Sequence, residues 1–273
     1  MIKLNGKVLD FEKFPNGETR VNGEQINVYQ EDVNQIEFKY KDDSDLIKLL
    51  FVKRHLDKLN TRTYLIVYYM PYSRMDRVEG DSVFTLKYVS ELINSLNFEQ
   101  VTIVEPHSDV TPALINKSKA IYPSLNLLKD VVKEVGFNAD TDYLFFPDQG
   151  AAKRYSKIEG YKSLVGFKER DFQTGQINSL QLVGEKPQHG FKAIIVDDLC
   201  SFGGTFILSA EQLKAAGATE IYLLVAHCEE SIYKGKIFNT DLINKVFTTN
   251  TIIKESKNEK IKLFNHIGGK SND

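Results

Sequence analysis

The sequence has little of what anchors a protein outside an ordinary aqueous fold. Two cysteines occur in 273 residues, Cys200 and Cys228. Two thiols exclude a disulfide framework, and no CxxC pair points to structural zinc. Their scarcity predicts a reducing, cytoplasmic setting. The opening, Met1-Ile2-Lys3-Leu4-Asn5-Gly6, has no signal-peptide core. The longest apolar stretch, residues 64–72, is far too short to span a bilayer, so no membrane partner is expected. A basic excess is also missing, with 35 Lys and Arg against 37 Asp and Glu, a net charge of -2. That argues against a general nucleic-acid binder and makes any anion site local. No short repeat, Pro-rich linker or low-complexity segment interrupts the chain.

What is present suits a sizeable core: 42% hydrophobic and 26% charged residues, over a length comfortable for two domains. The first thirty residues read as short strands and tight turns, with hairpin signals at Asn5-Gly6 and Asn22-Gly23. Helical spacing follows from Leu46 to Leu56, with Asp43 or Ser44 as a cap. Strands are predicted at 64–69, 101–104, 144–146, 193–196 and 221–225, and helices at 84–96, 127–135 and 204–216. This alternation predicts an α/β fold with mostly parallel sheets and an N-terminal antiparallel hairpin. The boundary falls near Tyr122-Pro123, giving domains 1–122 and 123–273.

Ligands of parallel sheets bind beyond the carboxyl ends of the strands. Four predicted strands end in polar or glycine-bearing loops, at 71–80, 105–109, 148–153 and 197–205. The last is the strongest motif: Ile194-Ile195-Val196-Asp197-Asp198-Leu199-Cys200-Ser201-Phe202-Gly203-Gly204-Thr205. A buried strand delivers two carboxylates to a glycine turn, and a helix opens at once. The glycines permit close backbone approach, and the helix N-terminus offers unpaired N–H groups to a phosphate. The carboxylates suit vicinal ribose hydroxyls or a hydrated Mg²⁺. Arg74 and Arg77 place guanidinium forks in a loop after a strand, as phosphate oxygens require. His107 and Asp148 also sit at strand ends. Lys168 and Arg170 alternate along an extended segment and so share one face; by spacing alone they read as a solvated charged run.

The acidic-pair loop resembles the phosphoribosyl-diphosphate loop of phosphoribosyltransferases. Further segments narrow the resemblance to the ribose-phosphate diphosphokinases (PRPP synthetases). Phe14-Pro15-Asn16-Gly17-Glu18 looks like that family's adenine-contacting loop, lent to a neighbouring subunit. Pro71-Tyr72-Ser73-Arg74-Met75-Asp76-Arg77 looks like its ATP-phosphate loop, and Glu105-Pro106-His107 like its metal-binding segment. Pro147-Asp148-Gln149-Gly150-Ala151-Ala152-Lys153-Arg154 is similar to the segment whose Asp serves the metal and ribose. Phe167-Lys168-Glu169-Arg170 is similar to the one carrying the catalytic Lys and Arg, and residues 246–251 to a late strand and loop.

The resemblance implies two phosphoribosyltransferase-like domains. It implies an enzyme that moves a diphosphoryl group from ATP to a ribosyl 1-hydroxyl and releases AMP. Phe14, Asn16, Glu18, Arg74, Asp76, Arg77 and His107 would bind ATP. Asp148, Asp197, Asp198, Ser201, Phe202, Gly203, Gly204 and Thr205 would bind ribose and its 5′-phosphate. His107 and Asp148 would hold Mg²⁺, and Lys168 and Arg170 would be catalytic. A homo-oligomer, dimer or larger, is implied by the lent loop.

Three departures bear on the substrate. The chain looks shortened at both ends relative to the family. The loop after Arg77 reads Val78-Glu79-Gly80-Asp81 where the family is basic. Ser201 and Phe202 stand where the family has Asp and Thr, and Phe202 cannot donate to a terminal phosphate. Some shortened relatives of that family, including phage ones, pyrophosphorylate ADP-ribose, and that product can accept nicotinamide to rebuild NAD. ADP-ribose is therefore the expected substrate, with ribose 5-phosphate the alternative. A catalytically dead regulatory paralogue would not need the full residue set, and a phosphoribosyltransferase would not need the ATP loops.

Overall fold

The computed structural model describes residues 1–170, 177–184, 187 and 190–265, without the side chains of 168–170 and 177–181. The chain divides into two compact units, Met1–Tyr122 and Pro123–Asp273. Both are mixed α/β with mostly parallel sheets.

The first unit opens with β1 (Ile2–Leu4) and β2 (Lys7–Val8), then β3 (Phe11–Lys13) and β4 (Thr19–Val21). Helix α1 (Gly23–Tyr29), β5 (Val33–Phe38), α2 (Ser44–Lys58) and β6 (Arg62–Val67) follow. The unit ends with α3 (Thr85–Ser95), β7 (Val101–Val104), α4 (Val110–Leu114) and β8 (Ser118–Ile121). Its sheet has the order β2-β1-β5-β6-β7-β8, parallel from β5 onward, and β3 and β4 form a separate antiparallel hairpin. Ile36, Phe38, Leu65, Val67, Val101 and Ile103 pack with Leu49, Val52 and Leu56 of α2 and Ile93 of α3 in one core.

The second unit comprises α5 (Pro123–Glu134), β9 (Tyr143–Phe146), α6 (Gln149–Arg154), β10 (Lys162–Arg170), β11 (Ile177–Gly184) and β12 (Phe191–Cys200). Helix α7 (Gly204–Ala215), β13 (Ala218–Cys228), β14 (Lys245–Thr249) and β15 (Ile261–Phe264) complete it. The sheet order is β11-β10-β9-β12-β13-β14-β15, antiparallel only between β10 and β11. Continuous apolar runs build the central strands because both faces are covered. Alternate residues of β12 part to opposite layers. Ala193 and Ile195 join the core with Phe206, Ala210 and Leu213 of α7. Ile194 and Val196 join the other with Leu127, Leu128 and Val131 of α5.

Several local expectations change. Asn5-Gly6 does make a two-residue hairpin turn, both residues at positive φ, 50° and 79°. Asn22-Gly23 does not. Asn22 caps α1 and accepts from the amides of Glu24 and Gln25, because the same carbonyl oxygen that favours turns also satisfies a helix start. Asp43 sits at the N-terminus of α2 but makes no capping bond; Asp42 accepts from Ser44 N instead, at 3.1 Å. Residues 149–154, expected as a loop, form α6. Strand β12 runs through the acidic pair to Cys200, so Asp197 and Asp198 are strand residues and not turn residues. The sheet pairs their backbone, with Asp197 opposite Val225. The extended segment expected through Lys168 and Arg170 is the end of β10, whereas β8, β11 and β15 were not anticipated.

Leu223 is fully buried on β13 in the α7-side core. Leu223→Ala is expected to destabilise the second unit by about 2–5 kcal/mol, read from urea unfolding midpoints.

Candidate active site

In the first unit the β3–β4 hairpin carries the 14–18 loop into solvent. Phe14 is half exposed, and Asn16 Nδ2 donates to Glu18 Oε2 at 2.9 Å. Gly17 (φ 91°) lets the Gly17 amide reach the Phe14 carbonyl. The loop is thus internally braced while its aromatic tip stays exposed.

Residues 71–77 follow β6. Tyr72 holds a left-handed backbone (φ 62°), an uncommon conformation for a bulky residue. Its hydroxyl and that of Tyr40 both donate to Asp43 Oδ1, which holds the Asp43 carboxyl below its ordinary range. This anchor ties the start of the loop to the start of α2. Beyond it Ser73 and Asp76 are buried, whereas Arg74 and Arg77 are exposed. Arg77 Nε donates to Glu79 Oε1 at 2.6 Å, so the carboxylate that departs from the family pattern is engaged by this cation. At the end of β7, Glu105 is buried with φ 43°, and His107 is half-buried two residues on. Non-glycine positive φ at the ends of two adjacent parallel strands is local strain of the kind that gathers at functional sites.

In the second unit Asp148 ends β9 and caps α6, its Oδ1 accepting from Ala151 N at 3.0 Å. One turn and a half later Arg154 reaches the acidic pair. Its Nη1 lies 3.1 Å from Asp197 Oδ1 and 2.7 Å from Asp198 Oδ1. All three side chains are largely buried. Burial, and then the neighbouring Asp198 charge, pushes the Asp197 carboxyl well above its ordinary range, and Arg154 pulls it back. The sequence motifs assign Arg154 no role. The available signal was a cation closing a short helix whose first residue caps from a strand end.

After Cys200 the chain turns through Ser201, Phe202 and Gly203 (φ 82°) into α7. Gly203 has no room for a Cβ, which would strike Ile237, and a Cβ on Gly235 would strike the Phe202 carbonyl. Residues 229–237 therefore wall the turn on one side. Phe202 is 58% exposed beside it, so its ring does not pack into the core. Gly204 is exposed, and Thr205 is half-buried at the first turn of α7. The Cys200 thiol is pushed upward by hydrogen bonding to Cys228 and by burial, and both cysteines are buried.

Lys168 and Arg170 end β10, opposite Leu180 and Ile177 of β11, with a register shift between Glu169 and Arg170. Their side chains lie outside the described residues. Among the described residues no group of three or more His, Cys, Asp or Glu side chains is gathered as a metal site. His107 and Asp148 each offer a donor at a strand end of their own unit. A single carboxylate such as Asp148 suits a magnesium ion carried largely by substrate phosphates.

Each of the two α/β units thus carries acidic and basic loops at its strand ends, where parallel sheets bind ligands. The family described as the phosphoribosyl synthetase-associated domain matches residues 170–267. The ribose-phosphate pyrophosphokinase of Sulfurisphaera tokodaii is 27% identical over 92% of this chain and 85% of its own length. That of Pyrococcus abyssi is 28% identical over 97% and 92%. The solved phosphoribosylpyrophosphate synthetase of Mycobacterium smegmatis shares the fold, with a TM-score of 0.74 and 18% identity over 94% of this chain and 85% of that one. Along most of its length the chain is thus similar to ribose-phosphate pyrophosphokinases, which are enzymes of the diphosphotransferase kind.

The native fold favours protonated Asp197, whereas the unfolded chain loses that proton in the ordinary carboxylate range. The group's stabilisation is therefore present below that range and is lost as pH rises through the elevated folded value. Unfolding midpoints measured from acidic to neutral pH are expected to show this decline, and Asp197→Asn to flatten it. Arg154→Met, which removes the cation shared by both buried carboxyl groups, should cost about 3 kcal/mol at neutral pH and less on acidification.

Proposed function

We propose that the chain transfers the β,γ-diphosphoryl group of MgATP to the 1-hydroxyl of a ribose-5-phosphate moiety and releases AMP. The observation that carries this reading is the end of β12, where two carboxylates held by Arg154 run directly into a glycine turn and the amino end of α7. The carboxylates accept the ribose hydroxyls, and the turn and the first N–H groups of α7 receive the 5′-phosphate. The loops of the first unit, with Arg74, Asp76, Arg77 and His107, take ATP. Lys168 and Arg170 neutralise charge on the transferred group.

In the reaction the 1-hydroxyl oxygen bonds to the β-phosphorus, in line with the bridge to the α-phosphate. The bond from the β-phosphorus to the bridging oxygen breaks, AMP leaves with that oxygen, and the hydroxyl proton passes to solvent. Magnesium on the phosphate oxygens, with His107 and Asp148 as protein donors, supplies charge neutralisation. No covalent enzyme intermediate is needed, so positioning and electrostatics supply the rate.

ADP-ribose is the preferred acceptor in this reading, and ribose 5-phosphate the second. The exposed Phe202 ring supports the preference: it gives an apolar surface to whatever extends beyond the 5′-phosphate. The product, ADP-ribose 1-pyrophosphate, would serve NAD resynthesis. The enzyme would work in the cytoplasm as a homo-oligomer whose exposed 14–18 loop completes a neighbour's ATP site.

Incubation with MgATP and each sugar, followed by AMP chromatography, is expected to show turnover with ADP-ribose. Turnover with ribose 5-phosphate alone refutes the preference. Lys168→Ala should lower kcat by at least about a hundredfold with the fold retained by circular dichroism. Phe14→Ala should raise the KM for ATP and leave that for the sugar unchanged. A fully active monomer in sedimentation contradicts the lent loop.

A further inference from the structure

A chain of three side chains stands behind the phosphate turn. The amide of Glu229 donates to the carbonyl of Cys200 at 2.8 Å, fixing the end of β13 beside the start of the turn. Ser231, in the 3-10 turn Glu230–Lys234, donates its hydroxyl to Glu229 Oε2 at 3.1 Å. Ser201 Oγ and Ser231 Oγ lie 3.0 Å apart.

The direction of the protons follows from counting them. A carboxylate only accepts, and a serine hydroxyl has one proton to give. Ser231 gives its proton to Glu229, so the proton between the two serines belongs to Ser201. Ser201 therefore turns lone pairs, and not a hydrogen, toward any other neighbour. The wall behind it is rigid, because neither Gly203 nor Gly235 has room to retreat.

The two possible phosphates differ in what they need. A terminal phosphate carries three non-bridging oxygens and close to two charges at neutral pH, and it is bound by converging donors. A 5′-phosphate joined by an anhydride bridge to a second phosphate carries two non-bridging oxygens and one charge. A turn whose serine is committed as a donor elsewhere, with a carboxylate behind it, penalises the first more than the second. The Phe202 ring, exposed next to Ser201, offers an apolar surface to a substrate that continues beyond its 5′-phosphate.

We propose that Ser231 and Glu229 are positioning residues for specificity. Through Ser201 they select a substrate whose 5′-phosphate is bridged to a second phosphate and reject one whose 5′-phosphate is terminal. The proposal rests on the pyrophosphokinase reading and names the device that sets its acceptor.

The test compares kcat/KM for ADP-ribose and for ribose 5-phosphate under saturating MgATP. Ser231→Ala returns the Ser201 proton to the turn, and the ratio is expected to move toward ribose 5-phosphate by about tenfold or more, mostly through KM. Glu229→Gln should move it in the same direction. Ser231→Thr keeps the hydroxyl and should keep the wild-type ratio, whereas a merely structural role would lower both activities together in every variant. An unchanged ratio in Ser231→Ala and Glu229→Gln, with AMP still formed, overturns this proposal alone. Loss of both activities in both variants also overturns it, in favour of a structural role. Absence of AMP from wild-type protein with both sugars overturns the pyrophosphokinase reading, and this proposal with it.

Discussion

Much of the second unit turns on one guanidinium. Two adjacent carboxylates inside a strand of a covered sheet are unfavourable: burial and mutual repulsion both oppose their ionisation. Arg154 touches both, and it arrives there because α6 is only long enough to carry it from the end of β9 to the end of β12. The acidic pair, the short helix and the strand length are therefore one solution. Remove the cation and the strand would have to end earlier or the acids would have to leave it.

The sheet behind this pair was readable because its chemistry is simple. Strands buried on both faces must be apolar at every position, and residues 193–196 and 221–225 are. The helix after the glycine turn, the two-residue turn at Asn5-Gly6 and the antiparallel hairpin near the N-terminus were readable for similarly local reasons. What failed was wherever one residue type serves two ends. Asn22 looks like a turn and caps a helix, and Asp148 looks like a loop residue and starts one.

The candidate site was legible in its residues and not in its pairings. Asp197 and Asp198 announce themselves by adjacency, but their partner lies more than forty residues earlier, and only the fold brings Arg154 to them. The Tyr40–Asp43–Tyr72 anchor likewise joins two distant segments, the β5–α2 connection and the loop after β6, with no common motif. Conversely, the acidic residues after Arg77 looked hostile to phosphate, and the structure shows one of them spent on that arginine.

The interlock of Gly203 with Ile237 and of Gly235 with the Phe202 backbone has a consequence for inheritance. A turn and a wall that leave each other no space for a methyl group cannot be exchanged separately. Grafting residues 201–205 into a relative would import a loop without its counterpart and meet a collision. The turn at the end of β12 and the 3-10 turns after β13 therefore form one packed block, and natural variants should change both halves together or neither.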